Sequence, residues 1–317
     1  MHYDVFNGDA DGLCSRHQLR LCEPCEATLV TGVKRDIALL ARVPAGRGDS
    51  VTVFDVSLAR NRDALDRLLE RGVAIRYFDH HRAGAAPAHS RLELHLDPAP
   101  DTCTGLIVDR YLGGRQRPWA LVAAFGDGLA GPATALGLQC GYGPRELTVL
   151  AELGEALNFN AYGETEADLV VAPAMLARML SRHGDPIACR RDEPLVATIF
   201  DSMREDLARA RTLPAVAGGH RAVVHVLPDA AWSRRVRGVF GNELARAAPG
   251  KAHAVLSPDG RGAFVVSVRA PLRAGIDAGA FCSHYAGGGG RAAAGGVDGL
   301  AADEIERFVA DFVAACG

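Results

Sequence analysis

Phe78-Asp79-His80-His81-Arg82 places a carboxylate and two adjacent imidazoles directly after an apolar-rich run, Val73 to Tyr77. The arrangement recurs: Asp9 and Asp11 follow Tyr3 to Phe6, and Asp55 follows Val51 to Phe54. Hard carboxylates joined by one or two imidazoles suit Mn²⁺ or Mg²⁺. Two such ions about 3.5–4 Å apart would clamp the attacking and leaving oxygens of a phosphoryl transfer. That chemistry requires the three runs to end side by side. If each is a strand of one parallel sheet, they do so at its carboxyl edge, where ligands collect in open α/β sheets.

The intervening segments supply the helices such a sheet needs. The pattern predicts strands at residues 3–6, 27–31, 51–54, 73–78 and 92–96. It predicts a tight acidic loop from Asn7 to Gly12 and helices over 13–21, 36–41 and 62–71. Strands alternating with helices of this length read as βαβ units. Asp101 or Thr102 opens a helix running to Tyr111. A wholly apolar stretch, Ala120 to Phe125, leads into Gly126-Asp127-Gly128, which puts Asp127 near the buried base of a cleft. Helices dominate from Pro144 to about His183, and the turn-rich, charged stretch Gly184 to Pro194 marks a boundary. A linking helix, Leu195 to Arg211, then precedes β-rich segments at 221–226, 252–256 and 263–268 and a closing helix at 302–315. The expected domains are residues 1–190, a linker at 191–213, and a smaller domain at 214–317.

Composition excludes several classes. The 317 residues suffice for two cores. A formal net charge of −3 lacks the strongly basic balance of a protein that tracks long nucleic acid, and a small anionic substrate fits better. No run approaches the roughly 18 apolar residues of a membrane span, and the amino terminus has no signal-like pattern. A cytoplasmic protein with reduced thiols is expected. Cys22-Glu23-Pro24-Cys25 has no second cysteine or histidine pair to complete a zinc site.

Local alternatives bear on single motifs. Asn7 to Gly12 has the acidic alternation of a calcium loop, but its twelfth position is Gln18 and a strand precedes it, so a turn capping the next helix competes. Asp97, Asp101 and Asp127 could each be solvated turn residues. Thr102 and Thr104 read as helix caps, beside which a helix amino terminus could bind phosphate. Trp119 and Trp232 read as core residues, and His253 and His284 lack catalytic partner spacing.

In order, Asp9 and Asp11, Asp55, Asp79-His80-His81 and Asp127 resemble the DHH phosphoesterase superfamily. Ser267-Val268-Arg269, then Gly287 to Gly290 with Ala293-Ala294-Gly295, are similar to its associated substrate-binding domain, so the resemblance spans nearly the whole chain. It implies an α/β fold, with an N-terminal parallel-sheet domain, a smaller α/β C-terminal domain and an active site in the cleft between them. It further implies that Asp9 and Asp55 bind one metal, and Asp11, Asp55, His80 and Asp127 a second, with Asp55 bridging. The ions would be Mn²⁺, or alternatively Mg²⁺. His81 would contact the scissile phosphate and Asp79 would orient the imidazoles. Arg269 and Gly287, Gly288, Gly289 and Gly290 would hold the substrate's phosphate or terminal nucleotide.

Two departures stand out. Val5 replaces a histidine that many members place four residues before the first motif aspartate, leaving Asn7 as the nearest polar substitute ligand. Gly290-Arg291 replaces a glycine-histidine pair, so Arg291 is a candidate for the missing phosphate contact. The expected activity is metal-dependent hydrolysis of short oligoribonucleotides (nanoRNA) or of 5′-phosphorylated dinucleotides such as pGpG. Alternatives are a nucleoside 3′,5′-bisphosphate phosphatase, a polyphosphate hydrolase, and a catalytically impaired nucleotide-binding regulator. No long nucleic acid or membrane partner is expected, and homodimerisation stays open.

Overall fold

The structure, a computed structural model, describes residues 1–317, the Leu272 side chain excepted. The chain divides into two compact units, Met1–Phe200 and Asp201–Gly317. The first contains β1 (His2–Phe6), α1 (Ala10–Cys22), β2 (Thr28–Val30), β3 (Ser50–Phe54), α2 (Arg62–Glu70), β4 (Ala74–Asp79) and β5 (Leu92–Leu96). Helices α3 (Thr104–Tyr111), α4 (Arg117–Gly126), α5 (Ala130–Gln139), α6 (Pro144–Ala161), α7 (Pro173–Leu180) and α8 (Pro186–Asp192) follow, and α9 (Pro194–Arg211) leads into the second unit.

All five strands are parallel, in the order β2-β1-β3-β4-β5, as the alternating pattern predicts. Side chains alternate across the sheet. Tyr3, Val5, Val51, Val53, Ile75 and Tyr77 face one core, shared with α2. On the opposite face, two cross-strand rows succeed one another: Asp4–Thr52–Arg76, then Phe6–Phe54–Phe78. The aromatic row, with Phe54 and Phe78 stacked 5.7 Å apart, lies between a polar cluster around Asp4 and the acidic strand ends.

Three expectations need correction. Helix α1 begins at Ala10, because the Asp9 side chain accepts the Gly12 N–H and caps it, so Asp11 lies in the first helical turn and not in a loop. The 36–41 segment forms only a 3₁₀ turn, Leu39–Arg42. The turn-rich stretch after Gly184 contains α8, nucleated by Asp185 accepting the Ile187 and Ala188 N–H groups with Pro186 at the first turn.

The second unit holds β6 (Ala217–Gly218), β7 (Ala222–Val226), α10 (Ala231–Ala247), β8 (Ala252–Pro258), β9 (Ala263–Arg269), α11 (Ala278–Cys282), β10 (Gly288–Arg291), β11 (Ala294–Ala301) and α12 (Ile305–Ala315). Its sheet runs β10-β11-β9-β8-β7-β6. The glycine-rich segment is therefore an edge strand in a hairpin with β11. Glycine is required there for close packing. A Cβ on Gly288 would stand 1.8 Å from the Cys282 carbonyl oxygen, and one on Gly295 2.5 Å from that of Ala278. Helix α11 thus lies directly against the hairpin backbone.

Candidate metal centre

The carboxyl ends of β1, β3 and β4 bring the predicted acids together. Donor atoms of Asp11, His80 and Asp127 lie within 4.8 Å of one another, as do those of Asp55, His80 and His81. His80 belongs to both groups. Its Nε2 stands 3.4 Å from Asp55 Oδ1 and 4.0 Å from Asp11 Oδ2 and from Asp127 Oδ2.

Each donor is held by a distinct device. His80 Nδ1–H donates to the Thr102 carbonyl at 3.1 Å, which leaves the Nε2 lone pair facing the carboxylates. That fixed tautomer is what a metal-binding imidazole requires. Asp11 accepts the Gly105 and Thr104 N–H groups at 2.7 and 2.8 Å, one on each carboxylate oxygen. These are orphan amides at the amino terminus of α3, so Asp11 caps that helix across 93 residues. The amides that could have faced phosphate are occupied by Asp11, and Thr102, read as a cap, contributes a carbonyl instead. Asp55 turns its carboxylate inward by adopting φ 56°, the one left-handed non-glycine residue among the described residues; aspartate tolerates this region better than most residues. Asp127 ends α4, and the close crossing of α4 and α6 sets its position. A Cβ on Gly126 would stand 2.3 Å from Ala10 Cβ, and one on Gly154 2.4 Å from the Val122 carbonyl oxygen.

Asp79 orients only one of the two imidazoles. Its Oδ1 accepts the His81 N–H and the His81 Nδ1–H at 3.1 and 2.7 Å, while Oδ2 accepts the Leu58 N–H. Burial disfavours a charged His81, but the Asp79 hydrogen bond and charge outweigh it and raise the His81 pKa. His81 is the most exposed member, with 44% of its side chain accessible, and Asp79 engages its Nδ1 and not its Nε2. Asp79→Asn is expected to lower turnover about 10–100-fold, the usual scale for loss of such a supporting carboxylate. Mn²⁺ affinity should change far less, since Thr102 holds His80. Equal losses in both would refute this division of labour.

Asp9 behaves differently. Its Oδ2 accepts the Lys34 ammonium at 2.5 Å and Oδ1 accepts the Gly12 N–H at 3.1 Å. Burial would raise its pKa, but the Lys34 charge, these hydrogen bonds and one from Asp55 hold it down. Asp55 goes the other way: burial and the surrounding Asp11, Asp9, Asp127 and Asp79 push it well up. Asp127 is raised to about 6 by burial and Asp11, with Lys34 and His80 opposing. A bound cation would relieve the like-charge repulsion that helps raise Asp55 and Asp127. With the oxygen and imidazole donors converging, the set fits a hard divalent ion. Asn7 is an unfavourable ligand, because both its amide atoms are engaged: Nδ2 donates to the Lys34 carbonyl and Oδ1 accepts the Asp9 N–H.

Lys34 was not singled out by the sequence reading. The available signal is that it is one of only two lysines and stands four residues after the end of β2. Of the other acids, Asp97 pairs with Arg110 at 2.5 Å and Asp101 is exposed. All eight cysteines are free thiols. In the second unit, Arg269 Nε donates to Asn242 Oδ1, and Nη1 donates to Ser267 Oγ and the Val268 carbonyl. Arg269, Ala294 and Arg291 share one cross-strand row, so both guanidinium-bearing residues rise from the same sheet face. Among the described residues no helix is long and apolar enough to cross a membrane.

No family model matches the sequence, and no curated protein does. Solved structures do match in fold. A manganese-bound exonuclease RecJ superposes with a TM-score of 0.61 at 18% identity, over 99% of this chain and 89% of that one. RecJ of Thermus thermophilus, in complex with Mn²⁺, matches at 0.61 and 16%, over 99% of this chain, which spans 52% of that chain's length. The pGpG-specific phosphodiesterase PggH of Vibrio cholerae gives 0.56 at 15% identity, over 99% and 98% of the two chains.

Proposed function

We propose that this chain, which has the fold of the DHH phosphoesterases, is a metal-dependent phosphodiesterase. Its substrates would be short oligoribonucleotides or 5′-phosphorylated dinucleotides such as pGpG, released as mononucleotides. The carrying observation is the convergence of Asp11, Asp55 and Asp127 around His80 beside the carboxyl edge of the parallel sheet, with His80 locked in the ligating tautomer. These four residues would hold the ion, with Mn²⁺ the first candidate. When bound, it would act as a Lewis acid on the phosphoryl oxygens and lower the pKa of a water.

The protein's own groups would do the rest. Asp11, pinned by two α3 amides, and Asp55, fixed by its backbone turn, keep the donor positions in place before substrate arrives, which limits reorganisation during reaction. His81, oriented and kept basic by Asp79, would donate through Nε2 to a phosphoryl oxygen. Arg269 and Arg291, on one face of the second sheet, would bind a terminal phosphate, with the Gly287–Gly290 backbone alongside.

A net charge of −3 supplies no basic track for a long polyanion, and the pGpG-specific PggH matches over 98% of its own length. The deciding experiment incubates the protein with Mn²⁺ and pGpG, RNAs of increasing length, a nucleoside 3′,5′-bisphosphate and polyphosphate. Mononucleotide release confined to the shortest RNAs is the expected outcome. Phosphate release from the bisphosphate alone would replace this reading with a bisphosphate phosphatase.

A further inference from the structure

We propose that the Lys34 ammonium takes the place of a second divalent ion beside Asp9, so that the centre is mononuclear. The inference rests on the metal-dependent reading above. Lys34 Nζ is bound by Asp9 Oδ2 at 2.5 Å and by Asn158 Oδ1 at 3.1 Å, and it lies 5.7 Å from the Tyr162 ring centroid. Its backbone is fixed at both ends, with N–H donating to the Ala161 carbonyl and C=O accepting from Asn7 Nδ2. A lysine usually swings freely on a four-carbon stem; this one is anchored on β1's loop and α6 together.

Its partner is equally committed. Asp9 caps α1 with one oxygen and binds Lys34 with the other, and Asp9 lies outside both converging donor groups. Asp9 and Asp55 act on one another's charge, so the ammonium sits one carboxyl group away from the residue that would otherwise bridge two ions. Within this arrangement a compact fixed cation supplies part of the neutralising charge, and the remaining donors, Asp11, Asp55, His80 and Asp127, are enough for one ion. Asn7, with both amide atoms engaged by Lys34 and Asp9, becomes a positioning residue for the ammonium.

Metal counting tests this without any substrate. Mn²⁺ titration by calorimetry and electron paramagnetic resonance should give one ion per wild-type chain, with an uncoupled mononuclear spectrum. Lys34→Ala, which frees Asp9, should gain a second ion and an exchange-coupled spectrum, whereas Lys34→Arg should stay at one. Two coupled ions in the wild type would overturn the inference while leaving the phosphoesterase reading intact. No Mn²⁺ binding at all would overturn both. If Lys34→Ala fails to fold, the wild-type and Lys34→Arg counts still decide.

Discussion

Asp55→Asn is expected to abolish metal-dependent hydrolysis, by at least about 10³-fold, while making the metal-free protein more stable. Both effects come from one geometry. Asp55 Oδ1 lies 3.4 Å from Nε2 of His80, the member common to the two donor groups, and accepts from the Thr104 hydroxyl. Removing its charge removes a ligand and with it part of the electrostatic stabilisation that dominates phosphoryl transfer. In the metal-free protein the same carboxyl is buried among four others, and that environment raises its pKa. A folded-state pKa above the unfolded value means that the charged form opposes folding at neutral pH. The penalty fades as pH falls below the folded pKa. Asparagine keeps the shape and tolerates the left-handed backbone. The gain should therefore be about 1 kcal/mol near pH 8, the usual scale when a strained functional group is relaxed, and it should shrink at pH 4. Urea unfolding with chelator present, at both pH values, measures it. Unchanged or lower stability at pH 8 would refute the account of a repulsive, cation-awaiting cluster. Surviving activity would remove Asp55 from the centre.

The candidate ligands Asp11, Asp55 and His80 were legible because each follows a strand whose alternation announces its buried face. Once β1, β3 and β4 are parallel neighbours, Asp11, Asp55 and His80 have little choice but to converge. What local pattern cannot show is how they are held. Asp11 caps a helix that begins 93 residues later, and His80 takes its tautomer from a backbone carbonyl at Thr102. Neither partner is marked by residue type. Lys34 was missed for a related reason: a lysine after a short strand is ordinarily a solvated point charge, and only the packing of α6 brings Asn158 and Asp9 to it. The glycines at 287–290 were open to two physical readings, since a missing side chain serves phosphate approach and backbone packing equally. Contact with α11 accounts for Gly288 and close approach of β11 for Gly287 and Gly290, whereas a Cβ on Gly289 would meet nothing.

Beneath the metal centre, Asp4→Ala should destabilise the first unit by about 3–5 kcal/mol, the cost of leaving buried charge unpaired. Asp4 is fully buried and receives Arg16 Nε at 2.9 Å, Arg20 Nε at 3.0 Å and Arg20 Nη2 at 2.5 Å, with His2 3.3 Å away. Burial works against its charge, yet His2 and the two guanidinium groups lower its pKa to about 2. A depressed folded pKa contributes stability that is complete above the unfolded value near 4 and is lost as pH falls towards 2. From a shift of this size the contribution is about 2 kcal/mol. Arg16 carries a matching penalty, since burial lowers its own pKa despite Asp4, and its Nη1 has no hydrogen-bond partner among the described residues. The network's value is thus mostly the damage done by breaking it. It also ties α1 to β1 on the face where the Phe6–Phe54–Phe78 row carries the acidic strand ends. Urea denaturation should show the wild type losing stability steeply between pH 4 and pH 2, and Asp4→Ala showing a flatter slope there. Parallel pH profiles for the two proteins would place the acid sensitivity elsewhere. Asp4→Ala should also weaken Mn²⁺ binding only to the extent that it unfolds the protein, because the aromatic row keeps the two charge clusters apart.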